Sequence, residues 1–411
     1  MDTLFPRCAG IDVHKANVVV CVRLADQPAK VFEEVRTFST MTRDLLALSD
    51  WLAEHGVTHV AMESTGVYWK PVFNILEGRF QVILVNAEHI KQVPGRKTDV
   101  KDCAWIAQLL QHGLLKASFV PPEPIRALRD LTRQRTQLVA EKAAAANRIQ
   151  KVLEDANIKL ASVATDVMGT SGRAMLEALI AGVTNPEELA DLARMRLRAK
   201  IPELQLALQG RVTDHHRFLL RLHLDHVGHL EELIARLSAE IEMAMAPFAE
   251  AAACLQTIPG ISQRVAETVV AEIGPRMEQF PTASHLASWA GMSPGNNESA
   301  GKRRSSHTTY GNRWLRQMLV QAAWAATRTK GTYLAAQYRR LAKRRGRKRA
   351  LVAVGHTLLV IIYHVLKRKT TYQELGPDFF DRLEPQRLTR QLVKRLEALG
   401  HKVTLEPGEA A

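Results

Sequence analysis

Residues 80–85, FQVILV, are an unbroken apolar run set off by Gly78-Arg79 and Asn86. A run of this length and content reads as a strand buried on both faces, and such a strand needs helices on either side of its sheet. The residues around it supply them. Residues 7–14 read as a strand ending in a polar turn, and 17–24 as its hairpin partner around His14-Lys15-Ala16. Residues 31–38 alternate like a third, half-exposed strand. A helix over 41–55 follows, with Leu45, Leu46, Leu48, Trp51 and Leu52 apolar. Residues 59–63 form a short buried strand closed by Ser64-Thr65-Gly66, and 67–77 a second helix. After the apolar run, the stretch Gly95 to Trp105 opens a third helix, with Thr98 as N-cap and Ile106, Leu109 and Leu110 on its apolar face.

The order β-β-β-α-β-α-β-α is the layout of a ribonuclease H-like domain. In that layout the first strand carries a carboxylate, the fourth ends in another, and a late helix brings the rest. Here those positions hold Asp12, Glu63, and Asp99 with Asp102. A spacing of three places Asp99 and Asp102 on one helix face. Each acid has a plainer reading: Asp12 as a turn residue, Glu63 as a turn cap, the other two as first-turn residues favoured by the helix dipole. Taken together they form a metal site, because carboxylates held close repel unless a cation lies between them. Hard oxygen ligands select Mg²⁺ or Mn²⁺ over zinc, and two such ions clamp the attacking and leaving oxygens of a phosphodiester.

At 411 residues the chain is long enough for two or three domains, and at 46% hydrophobic it can fill their cores. No apolar run is expected to reach membrane-spanning length, and there is no signal-peptide pattern. Cys8, Cys21, Cys103 and Cys254 are scattered with no CxxC pair, which suits a reducing cytoplasm and argues against both a disulfide framework and a zinc ribbon. The net charge of +14 is local: residues 301–350 hold fifteen Lys or Arg and no acid, leaving the rest near neutral. A phosphate backbone is the natural partner for such a region. An anionic membrane is the weaker candidate, because Trp314, Trp324, Tyr310 and Tyr333 are interleaved with the cations, as in base stacking.

Pro121-Pro122-Glu123-Pro124 marks a boundary. Residues 125–160 carry Leu131, Leu138, Ala145 and Val152 at a seven-residue period, and 203–247 form another long amphipathic helix. Between them, Gly169, Gly172, Gly182 and Asn185-Pro186 break 161–202 into short helices, a helical tip. The expectation is an antiparallel coiled-coil arm that spaces or joins subunits. His215, His216, His223, His226 and His229 lie on it without a recognised zinc pattern. Residues 254–274 look like a helix-hairpin-helix, whose turn at Gly260 would offer backbone N–H groups to a DNA phosphate; a plain helical turn is the alternative. A loop of small residues then carries Ser299 next to Lys302, Arg303 and Arg304, ahead of a helix over 313–328 that begins with Arg313 and Arg316. Ser299 is a candidate nucleophile beside cations that stabilise a phosphorane-like transition state. The plainer reading is a phosphate-binding loop, and Ser305 or Ser306 could serve in place of Ser299.

The motifs Gly10-Ile11-Asp12-Val13-His14-Lys15, Met62-Glu63-Ser64-Thr65-Gly66 and Lys97-Thr98-Asp99-Val100-Lys101-Asp102 occur in that order. Behind them come Ile258-Pro259-Gly260-Ile261, Ser299-Ala300-Gly301 and Gly311-Asn312-Arg313-Trp314-Leu315-Arg316. In these the chain resembles transposases of the insertion sequence one-ten family, which pair a DEDD, RuvC-like domain with a serine transposase domain. The resemblance implies that Asp12, Glu63, Asp99 and Asp102 hold Mg²⁺ and that Ser299 forms a covalent phosphoserine link to DNA. It also implies an oligomer, a dimer or tetramer, in which one subunit's acids meet another's serine. Its implied partners are the double-stranded DNA of element ends and target, and a structured non-coding guide RNA.

The fold class expected is thus α/β plus all-α. A RuvC-like domain spans 1–120, a coiled-coil arm 121–250, a helical serine transposase domain with a helix-hairpin-helix 251–366, and a tail 367–411. The expected function is a DNA transposase, cytoplasmic and DNA-associated in a prokaryotic cell. A hydrolytic nuclease or Holliday-junction resolvase is the alternative within enzymes, and a non-catalytic nucleic-acid scaffold the alternative outside them.

Overall fold

The computed structural model describes residues 3–27, 30–86, 102–295, 297–305, 307–383 and 385–406. The chain divides into two compact units, Met1–Val120 and Pro121–Ala411. In the first, β1 (Arg7–Val13), β2 (Asn17–Gln27), β3 (Lys30–Ser39), β4 (His59–Glu63) and β5 (Gln81–Val85) form one sheet in the order β3-β2-β1-β4-β5. The first three pair antiparallel, and β4 and β5 join in parallel. Parallel joins need crossovers. These are α1 (Thr42–Glu54) and α2 (Trp69–Leu76), and α3 (Asp102–Gln111) comes after β5.

Side chains alternate across the sheet. Ala9, Ile11 and Val13 of β1 share a core with Leu45, Leu48, Trp51 and Leu52 of α1 and with Val72, Phe73 and Leu76 of α2. The other face, with Cys8, Gly10 and Asp12, is covered by α3 through Ile106 and Leu110 on one side and Cys103, Ala104 and Ala107 on the other. Gly10 permits this contact, since a Cβ there would lie 2.2 Å from the Cys103 carbonyl oxygen and 2.4 Å from the Ala107 nitrogen. The expectation that residues 80–85 are buried on both faces is corrected. β5 is the edge strand: Gln81 is exposed, Val82 and Ile83 are half-buried, and only Leu84 and Val85 are fully buried.

Cys8, Cys21 and Cys103 are buried, and Cys254 is half-buried. Burial pushes the Cys8 and Cys21 thiols up from 9.0 to about 12. A raised folded-state pKa gives stabilisation that is complete below the unfolded value and is lost as pH rises through the folded one. We therefore expect the first unit to lose stability between pH 9.0 and about 12. At neutral pH a thiol reagent should modify Cys254 and spare the other three, as read by mass spectrometry. Native-state labelling of Cys8 would contradict this burial.

In the second unit α4 (Glu123–Asp155) and a later helix, α9 (Asp214–Met245), run antiparallel, with Asp155 against His216 and Lys142 against Glu231. Between them lie α5 (Leu160–Val163), α6 (Thr170–Ile180), α7 (Pro186–Asp191) and α8 (Ile201–Ala207). The short helices expected at the tip are present, and they share a core with the long pair. Met175, Leu176, Leu179 and Leu189 pack in one core with Ile149 and Leu153 of α4 and Leu220 and Val227 of α9. The single helix expected over 203–247 is split. Gly210 packs against the Ala156 carbonyl, where a Cβ would meet the oxygen at 2.5 Å, and Thr213 with His216 forms a capping box that starts α9. His216 Nδ1 accepts from the Thr213 backbone N–H at 3.1 Å, so its Nε2–H donates to Asp155 at 3.0 Å. Burial and then the Arg148 charge hold the His223 imidazole below its ordinary value.

Among the described residues the remainder is helical apart from one hairpin. It comprises α10 (Ala249–Gln256), α11 (Gln263–Ile273), α12 (Ala283–Trp289), strands β6 (Asn297–Ser299) and β7 (Lys302–Ser305), α13 (Arg313–Arg328), α14 (Tyr333–Arg345), α15 (Arg347–Arg368), α16 (Phe379–Leu383) and α17 (Pro385–Ala398). The expectation about membrane length also needs correction. Among the described residues α15 is long and apolar enough to cross a membrane by length and composition alone, with half of it buried inside the protein. Its buried side includes Val354, Leu358, Leu359 and Ile362, and the Tyr363 hydroxyl donates to the carbonyls of Phe280 and Pro281 at 3.0 Å.

Candidate active site

Asp12 and Glu63 reach the same place by register. Ile11 is paired with Met62 on neighbouring parallel strands, so Asp12 and Glu63 follow side by side at the ends of β1 and β4. Parity along each strand puts them on the face that holds Gly10 and Ala61, the face covered by α3. Asp102 opens α3, one residue before the Cys103 carbonyl that rests on Gly10. Three of the four acids therefore come to one end of one sheet face. Asp99, with its proposed cap Thr98, lies outside the described residues.

The Asp12 carboxylate is 20% exposed, and its Oδ2 lies 3.1 Å from His14 Nε2. His14 was legible only as a turn residue; its contact with Asp12 depends on the hairpin folding back. Among the described residues no three His, Cys, Asp or Glu side chains are close enough to hold a metal ion. The donor chemistry of Asp12, Glu63 and Asp102 is nonetheless hard carboxylate oxygen, which fits Mg²⁺ or Mn²⁺. The histidines at 215–229 form no such group.

Ser299 ends β6, and its backbone pairs with Lys302 across a two-residue loop. Both loop residues, Ala300 at φ 50° and Gly301 at φ 73°, are left-handed. Two positive φ values mark a type I′ turn, whose twist matches that of paired strands. The small-residue loop expected here is thus a tight hairpin. It continues inward as an extended ribbon: Gly295 N donates to His307 O at 2.8 Å, and Thr309 N to Ser293 O at 3.3 Å. The ribbon closes where Asn312 N donates to Trp289 O at 3.3 Å.

The cations have different placements. Lys302 is exposed beside the turn, and Arg303 pairs with Glu298 in the hairpin backbone, one residue before Arg304. Arg313 is exposed, with its guanidinium 4.8 Å from the Trp314 ring centroid. Arg316 is half-buried and donates to the Gly291 carbonyl at 3.4 Å, so it braces the ribbon base. The run from Lys343 to Arg349 is exposed throughout. Gly260 sits at φ 89° between α10 and α11, against α13, where a Cβ would meet the Ala322 oxygen at 2.4 Å. Its lack of a side chain therefore serves helix packing.

Two family models match this chain. One, described as a DEDD transposase of IS110 type, covers residues 9–158, and the other, described as the transposase IS116/IS110/IS902 family, covers residues 252–339. The chain belongs to the IS110 family of transposases. Asp12, Glu63 and Asp102 fall within the first matched segment of this IS110-family chain, and Gly260, Ser299, Lys302 and Arg316 within the second.

The chain is similar to a transposase for insertion sequence element IS1111A of Coxiella burnetii, 24% identical over 71% of this chain and 72% of that one. It is also similar to an uncharacterised 43.6 kDa protein of insertion element IS110 from Streptomyces coelicolor, at 27% identity over 30% of each chain.

Proposed function

We propose that this IS110-family chain is a Mg²⁺-dependent DNA recombinase that moves an insertion sequence through a covalent phosphoserine intermediate. The observation that supports it most is the placement of Asp12 and Glu63 side by side at the strand ends, on the face from which α3 starts at Asp102. The strand order β3-β2-β1-β4-β5 supports the RuvC-like reading. Asp12, Glu63, Asp99 and Asp102 are the residues that would hold the metal. When bound, Mg²⁺ or Mn²⁺ would supply Lewis-acid stabilisation of a phosphodiester under attack.

Ser299 is the proposed nucleophile. Its Oγ attacks phosphorus, a Ser–O–P bond forms, one backbone P–O bond breaks, and the hydroxyl proton passes to the leaving oxygen. The reverse step, with a different strand's hydroxyl, rejoins DNA without ATP, because one phosphate ester replaces another. Lys302 beside the turn, with Arg303 and Arg304, offsets the charge that develops on the phosphoryl oxygens. Arg313, the exposed Lys343–Arg349 run and the turn at Gly260 are proposed nucleic-acid contacts, the last as a helix-hairpin-helix. A structured guide RNA is a proposed partner for this basic surface. The antiparallel α4 and α9 pair is proposed to join subunits as a coiled-coil arm.

The metal arm is tested by calorimetric titration of the full chain with Mn²⁺. Wild type should bind, and Asp12→Asn with Glu63→Gln should weaken binding by about 10²-fold or more. Equal affinity in wild type and the double variant would remove these carboxylates from the metal site.

A further inference from the structure

The ribbon that carries Ser299 is fastened at its base to a buried charge. Glu272, at the end of α11, is 0% exposed. Its Oε1 and Oε2 accept from Arg133 Nε and Nη2, both at 2.7 Å, a bidentate pair with a residue of α4. Arg129, one turn earlier on α4, lies 3.5 Å from Oε2 and donates to the Ala271 and Glu272 carbonyls at 3.1 and 2.6 Å. Burial lowers the Arg129 guanidinium to about 10, opposed by the Glu272 charge. The remaining partner is Asn312, whose Nδ2 donates to Glu272 Oε2 at 2.5 Å.

Asn312 is where the ribbon ends. Its Oδ1 caps α13 by accepting from the Trp314 and Leu315 N–H groups, both at 3.0 Å. Its backbone N–H closes the ribbon on Trp289. Next to it Gly311 lies flat on the opposite strand, where a Cβ would meet the Gly291 nitrogen at 2.2 Å. Arg133 also faces the Trp314 ring, 5.7 Å from its centroid. One amide thus ties the first turn of α13, the root of the ribbon and a fully buried carboxylate together. A carboxamide is the side chain that can do this, since it accepts at the cap and donates to the acid at once.

We propose that Glu272, acting through Asn312 and held by Arg133 and Arg129, is a positioning residue that sets the ribbon carrying Ser299 for attack on DNA. This rests on the reading of Ser299 as nucleophile. The network touches neither DNA nor the serine; it fixes the root from which the hairpin extends, and a reacting group displaced by about 1 Å can lose about 10²-fold in rate.

The test exchanges donor and acceptor. Asn312→Asp keeps the helix cap but sets a second carboxylate against Glu272, and Asn312→Ser keeps the cap and replaces the amide donor by a shorter hydroxyl without adding charge. Glu272→Gln removes the charge that holds the arginines. In the double variant Glu272→Gln with Asn312→Asp, the new glutamine amide can donate to the new carboxylate, which restores the bond between the two side chains, while the glutamine NH2 no longer accepts from Arg133 Nη2. The rate of covalent protein–DNA adduct formation is measured at saturating DNA, at a temperature where melting curves show every variant folded, alongside the DNA concentration giving half-saturation.

Each single variant should lose about 10- to 10²-fold in adduct rate with half-saturation unchanged, and the double should be faster than its slower parent. Single variants at the wild-type rate, or a double no faster than its slower parent, would overturn the positioning role. If Glu272→Gln fails to fold, Asn312→Ser decides by itself: a wild-type rate overturns the proposal. Wild-type protein that cuts DNA with no adduct at all overturns the serine reading instead, an outcome distinct from the other two.

Discussion

Asp12→Asn should lower DNA strand cleavage by about 10³-fold while leaving the fold of the first unit intact. Asparagine is isosteric, and the Asp12 side chain is 20% exposed beside His14, so no buried packing is lost. What goes is one negative oxygen at the strand ends, next to Glu63. Transition-state charge stabilisation by a bound cation contributes several kcal/mol, and each 1.36 kcal/mol is tenfold in rate, so losing a ligand costs about three decades. Cleavage of a labelled element end, followed with Mg²⁺ titrated, checks this. Unaltered cleavage by Asp12→Asn would take Asp12 out of the metal site.

Ser299→Ala should have the larger effect. If Ser299 Oγ forms the bond to phosphorus, no other group can form the same ester, and loss of a nucleophilic serine costs on the order of 10⁶-fold. Backbone structure should survive the change. Ser299 ends β6 before a turn whose left-handed residues are Ala300 and Gly301, and alanine is compatible with the extended strand. DNA affinity should hold as well, because Lys302, Arg313 and the Lys343–Arg349 run remain. A hydrolytic nuclease predicts the reverse, with cleavage unchanged by Ser299→Ala.

The acidic end of the molecule was legible because strand alternation and carboxylate position are local properties of sequence. The elements carrying Asp12 and Glu63 could be placed from period-two patterns, and their adjacency then follows from pairing in register. The burial of β5 was misjudged for a non-local reason: an apolar run looks the same in a central strand and at an edge partly covered by a later segment, here by Ala117.

The serine end was less legible. Ser299-Ala300-Gly301-Lys302 lacks the Asn-Gly or Asp-Gly pair that announces a type I′ turn, so it read as a loop of small residues. The contact of Arg133 with Glu272 spans 139 positions, and helical periodicity records Arg133 only as a polar residue on α4. Gly260 could be placed in a turn between two helices, but the helix that presses on it comes some sixty residues later. The short helices between α4 and α9 were legible from the glycines and the Asn185-Pro186 pair that divide them, but such breaks say nothing of the shared core.

The most direct measurement of the central claim is recovery of DNA-linked protein under denaturing conditions from cells carrying the element, for wild type, Ser299→Ala and Asp102→Ala. An adduct mapped by mass spectrometry to Ser299 in wild type, and absent from both variants, is the result predicted. DNA cut without any adduct, and cut equally well by Ser299→Ala, would contradict a phosphoserine intermediate and leave a metal-dependent hydrolytic nuclease in its place.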